Sequence, residues 1–321
     1  MPCSDRARVH ALLEESGADP LAPFALHPKK SHAFSPDGKA AIGYAVRLGV
    51  AVAAGDPVGR PESWPGAVDA FAVLAREQGW RTAVLGAGEA ALPLWTAQGL
   101  RAVPIGRDVV VHTREWSLTG RRFRNLRQAV RRTHNAGVTT ELVRESDVPP
   151  DVVGEVQRLR RNSGRDGHRG FSMIHGRWFD GDHPGALLAL ARDRGGRLVA
   201  AQRYLPAGSL GLSLDVPLRA GDAPNGVDER LVADTVAWGR GHGVEHVSLA
   251  FAPFPDVYEA PRGSLAGLAA LALHAFDPVI RLRRLHRYLR KFHAFDQRRF
   301  VLLRPRQVLR VAVVLVWLEF C

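Results

Sequence analysis

Apolar and polar residues recur along the chain in patterns that predict a mixture of strands and helices. Residues 40–54 are mostly small or β-branched, with Gly49 in the middle, which predicts two strands joined by a tight turn. In residues 64–78 the apolar positions have helical spacing, and Gly79 stands where a helix C-cap belongs. Strand and helix then alternate as far as His112, so the first part of the chain is predicted to be α/β.

The same succession of elements recurs after a basic segment. Residues 117–136 predict a helix, and strand, helix, strands, helix and strand follow it up to Ala250. The order recurs although the letters do not, which favours two copies of one unit, as in acyltransferases of the N-acetyltransferase superfamily. The sequence therefore predicts an α/β (α+β) fold of tandem acetyltransferase-like lobes with mixed sheets. We expect the lobes at residues 1–117 and 137–321, linked by a basic helix at 118–136.

The longest apolar run is Val311 to Leu318, which is too short for a membrane-spanning helix of ~20 residues. It is either a buried C-terminal helix or a hydrophobic foot that rests on a membrane. The first twenty residues contain no apolar stretch typical of a signal peptide, and we therefore expect a cytoplasmic location.

Basic residues outnumber acidic ones, 44 to 32, for a formal net charge of +12. Such a charge favours anionic partners, unless the arginines are spread evenly over the surface. Two helical segments concentrate them, and in each a solvated face or pairing with acids elsewhere is the alternative to phosphate binding. The candidate phosphate-binding residues are Arg124, Arg127 and Arg131 in the first segment and Arg284, Arg287 and Lys291 in the second.

Several kinds of catalytic site are excluded by their missing motifs. The chain has no phosphate-binding P-loop, no Gly-x-Ser-x-Gly elbow and no paired Cys or His ligands, so we expect neither a metal nor a cofactor. Three residues are candidates for a general base: Asp215 at the end of an apolar strand, Asp228 in the first turn of a helix, and His168 in a loop. The alternatives are a turn-forming aspartate, a helix-dipole partner and an exposed loop histidine.

An ordered set of short strings runs through the chain at spacings typical of one family. It comprises Lys29-Lys30-Ser31-His32, Gly55-Asp56-Pro57-Val58-Gly59, Leu118-Thr119-Gly120, Gly170-Phe171-Ser172-Met173, Ser213-Leu214-Asp215, Pro224-Asn225-Gly226-Val227, Ser248-Leu249-Ala250-Phe251 and Tyr288-Leu289-Arg290-Lys291-Phe292. Over residues 25–315 the chain thus resembles the C-terminal catalytic domain of phosphatidylglycerol lysyltransferases. It departs from that family's usual Asp-x-Met-Arg-Arg at 215–219 and from its Lys-Phe-x-Pro-Trp at 291–295.

The resemblance implies transfer of an aminoacyl group from charged tRNA to the hydroxyl of phosphatidylglycerol or a related polar lipid. The implied partners are aminoacyl-tRNA, an anionic phospholipid or membrane surface, and a separate membrane protein, because the usual enzyme carries membrane helices before this domain. The alternatives are a non-catalytic module that binds tRNA or membrane, and an acyl-CoA-dependent acyltransferase. The chain is expected to be peripheral to the inner face of the membrane.

The expected site lies in the second lobe. Substrate-binding roles fall to Arg219, Asn225, Gly226, Ser248 and Phe251, beside the three candidate bases. We expect Asp215, Asn225 and Asp228 to converge on one cleft of the second lobe, with Arg219 nearby. Replacement of Asp215 by Ala is then expected to abolish transfer with little effect on the melting temperature.

Overall fold

The computed structural model describes residues 3–17, 19–163, 175–253 and 282–320. The helices of these residues are α1 (Cys3–Glu15), α2 (Trp64–Glu77), α3 (Leu92–Ala97), α4 (Arg124–Asn135), α5 (Pro150–Asn162), α6 (Val227–Gly241), α7 (Leu282–Leu289) and α8 (Val308–Phe320). The strands are β1 (Ser31–Phe34), β2 (Ala40–Arg47), β3 (Val50–Ala54), β4 (Val58–Gly59), β5 (Arg81–Ala87), β6 (Arg101–His112), β7 (Thr139–Arg144), β8 (Leu187–Arg192), β9 (Leu198–Ala207), β10 (Gly211–Arg219), β11 (His246–Pro253) and β12 (Phe295–Leu303).

All of these strands belong to one sheet with the order β1-β2-β3-β5-β12-β6-β11-β10-β9-β8-β7, and β4 pairs with β2 beside that path. Two neighbouring pairs in the described sheet are parallel, β3 with β5 and β10 with β11. A parallel pair needs a crossover, and α2 and α6 supply it. Each half therefore has antiparallel strands, a helix and then a parallel strand. The predicted mixed α/β fold with a recurring unit is confirmed.

The two halves of the sheet share strands. β12 comes from the end of the chain but lies between β5 and β6, which belong to its first third. β6 in turn pairs with β12 along most of its length and with β11 over its C-terminal half, from Gly106 to His112. The proposed division at 118–136 stays a prediction, and a cut there would leave the first half without β12.

Helices cover both faces of the sheet and form the core with it. In the second half α4 and α6 pack on one face, around Leu126, Val232 and Leu214, and α5 packs on the other, around Leu159 and Leu190. In the first half α2 covers one face and α8 the other. Burial of these apolar faces is the main stabilising contribution to the fold.

Helix α8 contains the apolar run at 311–318 and is buried on one side only. Val311, Val314 and Leu318 pack against β3 and β12, whereas Leu309 and Val313 on the other side are 85% and 59% exposed. Among the described residues, no helix combines the length and the apolar composition that crossing a membrane requires.

A buried arginine joins three elements of the first half where β3 and β5 separate. The Arg299 guanidinium donates to Asp108 Oδ2 at 2.7 Å and also to Asp19, and it lies 3.7 Å from Asp56 Oδ2. Asp56 accepts the Gly88 N–H at 2.8 Å. Burial, followed by the Asp19 charge, raises the pKa of Asp56 to about 7. The Asp56 turn is therefore part of a buried ion cluster.

Replacing Arg299 with Met is expected to destabilise the protein by about 3–5 kcal/mol, because the buried Asp56 and Asp108 and the partly exposed Asp19 all lose their cation. Thermal unfolding measures the loss, and Arg298→Met, an exposed neighbour on the same strand, is the control. A carboxyl whose pKa is raised stabilises the fold when protonated, and this contribution disappears as pH rises through the raised pKa. The deficit should therefore be larger at about pH 8 than at about pH 5. A loss no larger than that of the control would contradict a structural role for the cluster.

Candidate functional site

The strands β10 and β11 separate after a short parallel contact. Their pairing ends at Ser213 and Ser248. Beyond that point β10 continues along β9 with an irregularity between Leu214 and Pro217, and β11 continues along β6 with another before Phe251. The facing edges of the two strands thus leave a gap, called here the β10–β11 gap. The carboxyl ends of parallel strands are a common place for ligand binding in α/β folds.

Three predicted site residues meet where β10 leads into α6. The Arg219 guanidinium donates to Asn225 Oδ1 at 3.3 Å and to the Ala223 carbonyl at 2.9 Å. Its Nη1 atom also lies 3.5 Å from Asp228 Oδ2. Arg219 thereby fixes the loop before α6 and holds the Asp228 carboxylate. The expected meeting of Arg219, Asn225 and Asp228 is what the structure shows.

Gly226 allows α4 to pack directly against the beginning of α6. Its φ is +99°, and a Cβ atom there would lie 2.5 Å from the Ala129 carbonyl oxygen. Residues other than glycine would be strained in this backbone conformation and would collide with α4. The contact gives Gly226 a packing role, and its predicted part in substrate binding stays untested.

Further polar groups surround Asp228 on the α6 face of the sheet. Glu229 is buried and accepts the Lys291 ammonium at 2.6 Å. Gln202 donates to the Asp228 carbonyl at 3.2 Å and accepts the Tyr204 hydroxyl at 2.7 Å. Lys291, predicted to bind phosphate, is therefore paired with Glu229 here.

The carboxylates also act on Tyr288 of α7. Burial, followed by the charges of Asp228 and Glu229, raises the pKa of Tyr288 far above its usual range. The phenol is therefore protonated at neutral pH and can donate a hydrogen bond.

Asp215 does not join this cluster, contrary to expectation. Its Oδ2 atom lies 3.1 Å from Arg203 Nη1, and its Oδ1 atom accepts the backbone N–H of His175 at 2.7 Å. Gln202 and Arg203 are consecutive in β9, so their side chains point to opposite faces of the sheet. Asp215 is thus on the Arg203 face and Asp228 on the Gln202 face. The predicted convergence of Asp215 with Asn225 and Asp228 is wrong, because the irregularity of β10 between Leu214 and Pro217 places Asp215 on the face opposite to Arg219.

Arg203 holds a buried ion network on that second face. Its guanidinium makes two hydrogen bonds to Glu145, at 2.8 and 2.7 Å, besides the one to Asp215. The side chains of Arg203 and Asp215 are fully buried, so Asp215 has no access for a substrate hydroxyl without rearrangement. Arg203 and Glu145 were not anticipated, although two polar residues inside the apolar strand 198–207 mark a buried polar contact.

A group of potential metal ligands lies beside the Arg203 network. His175, Asp180 and Asp182 offer one ligand atom each, all within 4.8 Å of one another. However, Arg6 pairs with Asp182, and Arg177 lies 3.0 Å from Asp180. These cations already neutralise the carboxylates, which disfavours a metal ion at this place. The expectation that the protein needs no metal stays a prediction.

The remaining predicted site residues lie along β11 or outside the described residues. Ser248 is buried at the last paired position before the β10–β11 gap, and Phe251 packs across Gly106 of β6. Ser248 therefore borders the gap on the β11 side, whereas the ring of Phe251 lies over β6. His168 lies outside the described residues, and its predicted role as a base stays a prediction.

Two basic helices meet beside the site. Helix α4 buries Leu126 and Ala129 and exposes its arginines along an open groove of about 610 Å³. Arg284 and Arg287 of α7 are exposed as well. The residues after α7 contact the start of α4, where the rings of His293 and Phe123 are 5.4 Å apart. We call these exposed arginines the basic surface; its members are Arg124, Arg127, Arg131, Arg284 and Arg287.

Comparisons with known proteins point to one family. The family model described as phosphatidylglycerol lysyltransferase, C-terminal, matches residues 10–303. The chain is 47% identical over 325 residues to an MprF-like domain protein of Mycobacterium tuberculosis, over 98% of this chain and 67% of that protein. It is 40% identical to the lysylphosphatidylglycerol biosynthesis bifunctional protein LysX of Rhodococcus opacus, over 80% of this chain but only 23% of LysX.

A solved structure has a similar fold. It is the C-terminal domain assigned to a lysylphosphatidylglycerol synthetase of Agrobacterium fabrum, with a TM-score of 0.82 and 23% sequence identity. The likeness covers 98% of this chain and 97% of that domain.

Replacing Asp215 with Ala is expected to lower the free energy of unfolding by about 3 kcal/mol, because Arg203 and two backbone N–H groups lose a buried acceptor. This reverses the expectation from the sequence that stability would hardly change. Chemical denaturation measures the effect, and Asp222→Ala, which removes an exposed partner of Arg197, is the control. A melting curve unchanged by Asp215→Ala together with loss of transfer would restore a direct catalytic role.

Proposed function

Since the chain belongs to the phosphatidylglycerol lysyltransferase C-terminal family, we propose that it transfers an aminoacyl group from a charged tRNA to a hydroxyl of phosphatidylglycerol. Lysine is the amino acid that the family description favours. The observation that carries the proposal is the contact of α4 with the beginning of α6. Through this contact the exposed arginines of α4, which suit a polyanion, are next to the helix whose first turn carries the Asp228 carboxylate.

The chemistry requires a positioned hydroxyl and a base, because the ester on tRNA is already activated. The hydroxyl oxygen of the lipid attacks the ester carbonyl, and the bond from that carbonyl to the tRNA ribose breaks. The proton of the lipid hydroxyl goes to a base, and the departing ribose oxygen takes up a proton. Catalysis then depends on positioning, proton transfer and stabilisation of an oxyanion.

Asp228 is the proposed base. Its carboxylate is partly accessible, at 21% exposure of the side chain, whereas that of Asp215 is fully buried. Arg219 positions the Asp228 carboxylate from 3.5 Å, and Asn225 is tied to the same guanidinium. Backbone N–H groups along the facing edges of β10 and β11 are the proposed donors to the oxyanion.

The basic surface is the proposed contact for the tRNA. Phosphates bound along α4 would lie on the helix whose inner side touches Gly226, two residues before Asp228. Exposed arginines suit such contacts because each can hold a phosphate with two hydrogen bonds. Anionic phospholipid is the second proposed partner, and a separate membrane protein stays a prediction.

The beginning of α6 does not support the alternative that the protein is an acyl-CoA-dependent acyltransferase. An acyl-CoA enzyme of this fold binds a pyrophosphate at the start of the corresponding helix, in line with the anion-binding property of helix N-termini. Here α4 packs against that position, and Asp228 and Glu229 bring negative charge to the first turn. A non-catalytic binding module is the remaining rival, and turnover separates it from an enzyme.

Purified protein supplied with lysyl-tRNA and phosphatidylglycerol vesicles should form aminoacyl-phosphatidylglycerol with multiple turnovers. Replacing Asp228 with Asn should lower kcat by about 10²–10⁴-fold, because the proton of the attacking hydroxyl loses its acceptor. The matched control is Asp222→Asn, an exposed aspartate in the loop before α6. Product formed at the same rate by Asp228→Asn would remove Asp228 from catalysis, and no product from the unmodified chain would favour the binding module.

Replacing Arg124, Arg127 and Arg131 together with Gln should weaken tRNA binding and flatten its salt dependence. Each lost phosphate contact reduces the slope of log K against log salt by about 0.7–0.9. The matched control replaces Arg144, Arg158 and Arg161, which are exposed elsewhere in the second half, and changes the net charge equally. Equal losses in both variants would show that α4 is not the contact and that net charge alone attracts the tRNA.

A further inference from the structure

Helix α8 consists mostly of apolar residues, although only one side of it is packed against the protein. Its inner residues Val311, Val314 and Leu318 belong to a core cluster with β3 and β12. On its outer side Leu309, Val313 and Trp317 follow one another at intervals of four and are 85%, 59% and 37% exposed. Residues four apart lie on the same side of a helix, so these three form one apolar stripe. An exposed stripe of this kind marks an interaction site.

The hairpin tip between β2 and β3 adds an apolar residue beside this stripe. Leu48 and Gly49 both have positive φ, at 48° and 70°, and Leu48 is 69% exposed. Tight turns of this type favour Asn or Gly at the first position, so a leucine there is strained and gains nothing from packing. The preceding residue, Arg47, stacks its guanidinium over Trp317 at 4.1 Å from the ring centroid. The tip therefore lies next to the C-terminal end of the stripe.

Cations surround the apolar residues. Arg47 stands at the hairpin tip, Arg304 and Arg306 precede α8, and Arg310 lies in its first turn, and all four are exposed. The first turn of α8 has no acidic residue. An apolar stripe with arginines at its margins is the pattern of helices that lie flat in the interface of an anionic bilayer. With 13 residues and a rise of about 1.5 Å per residue, α8 measures about 20 Å, which suits a helix that lies on a membrane.

We propose that the stripe of α8 and the Leu48 tip dock the protein onto the surface of an anionic phospholipid bilayer. The inference rests on the proposed function to the extent that a lipid acceptor requires a membrane nearby. A second copy of the chain is the less favourable occupant, because a two-fold contact brings the same arginines of both copies together. An anionic surface instead neutralises these arginines while its acyl region receives Leu309, Val313 and Trp317.

The test is sedimentation of the purified chain with vesicles of phosphatidylcholine containing a minor fraction of phosphatidylserine. Phosphatidylserine has no free glycerol hydroxyl, so this binding does not depend on recognition of the proposed acceptor. We expect the chain to bind these vesicles and to remain unbound with pure phosphatidylcholine. The double variant Leu309→Asp with Val313→Asp should bind the vesicles at least about tenfold more weakly. The single variant Leu48→Asp should reduce binding too. Trp317→Phe should diminish the blue shift of tryptophan emission on binding.

The matched control adds the same two charges at exposed apolar positions elsewhere, with Val73→Asp on α2 and Leu210→Asp in the β9–β10 turn. Melting curves of all variants should agree closely, since every substituted side chain is exposed. The inference is overturned if the α8 variant binds vesicles like the control. It is equally overturned if sedimentation velocity shows that the unmodified chain is a dimer and the α8 variant a monomer. Failure of aminoacyl transfer with intact vesicle binding would refute the proposed function alone, and Asp228→Asn should bind vesicles normally.

Discussion

The separation of β10 from β11 is the constraint from which the site follows. Two parallel strands joined by a helix share hydrogen bonds only as far as Ser213 and Ser248, and each then pairs with its other neighbour. Helix α6 connects the two strands that separate, and Arg219 at the end of β10 holds Asn225 and Asp228 at the beginning of that helix without a long loop. Because α4 touches Gly226, the same constraint also fixes where the basic surface lies relative to the carboxylates.

The first half of the sheet repeats the arrangement but fills the corresponding place. There β3 and β5 part, and Arg299 with its aspartates occupies the space beyond them. Arg299 comes from β12, so the end of the chain closes the first half while β6 connects it to the second. At this place the first half thus has a buried ion cluster, whereas the second half has the partly accessible carboxylate of Asp228. The placement of the site in the second half stays a prediction.

Much of the fold could be predicted from the sequence because local signals were strong. Glycines after helical periodicity, Gly79 and Gly99, mark the ends of α2 and α3, the Gly195-Gly196 turn marks the start of β9, and an alternating run marks β10. The sequence pattern indicates strands only at residues 109–112 and 299–303, which are shorter than β6 and β12, since Pro104, Gly106 and several arginines interrupt the apolar pattern. β6 and β12 pair although they are nearly 200 residues apart in the sequence, and a local pattern cannot predict such a contact.

The site was predicted only where its residues are close in sequence. Arg219, Asn225 and Asp228 lie within ten positions and meet as expected. Asp215 was misplaced because a bulge and the alternation of faces decide where its side chain points. Glu145 and Arg203 are 58 residues apart, and their bidentate pair emerges only when β9 folds over the turn after β7.

The central claim is that this chain, with Asp228 as base, places amino acids on phospholipid. The most direct measurement is mass spectrometry of lipids from a bacterial host without aminoacyl lipids that expresses either the unmodified chain or its Asp228→Asn variant. We expect aminoacyl-phosphatidylglycerol in the first extract and its loss in the second, at equal protein levels. Unmodified phosphatidylglycerol in both extracts, while lysyl-tRNA is abundant, would contradict it.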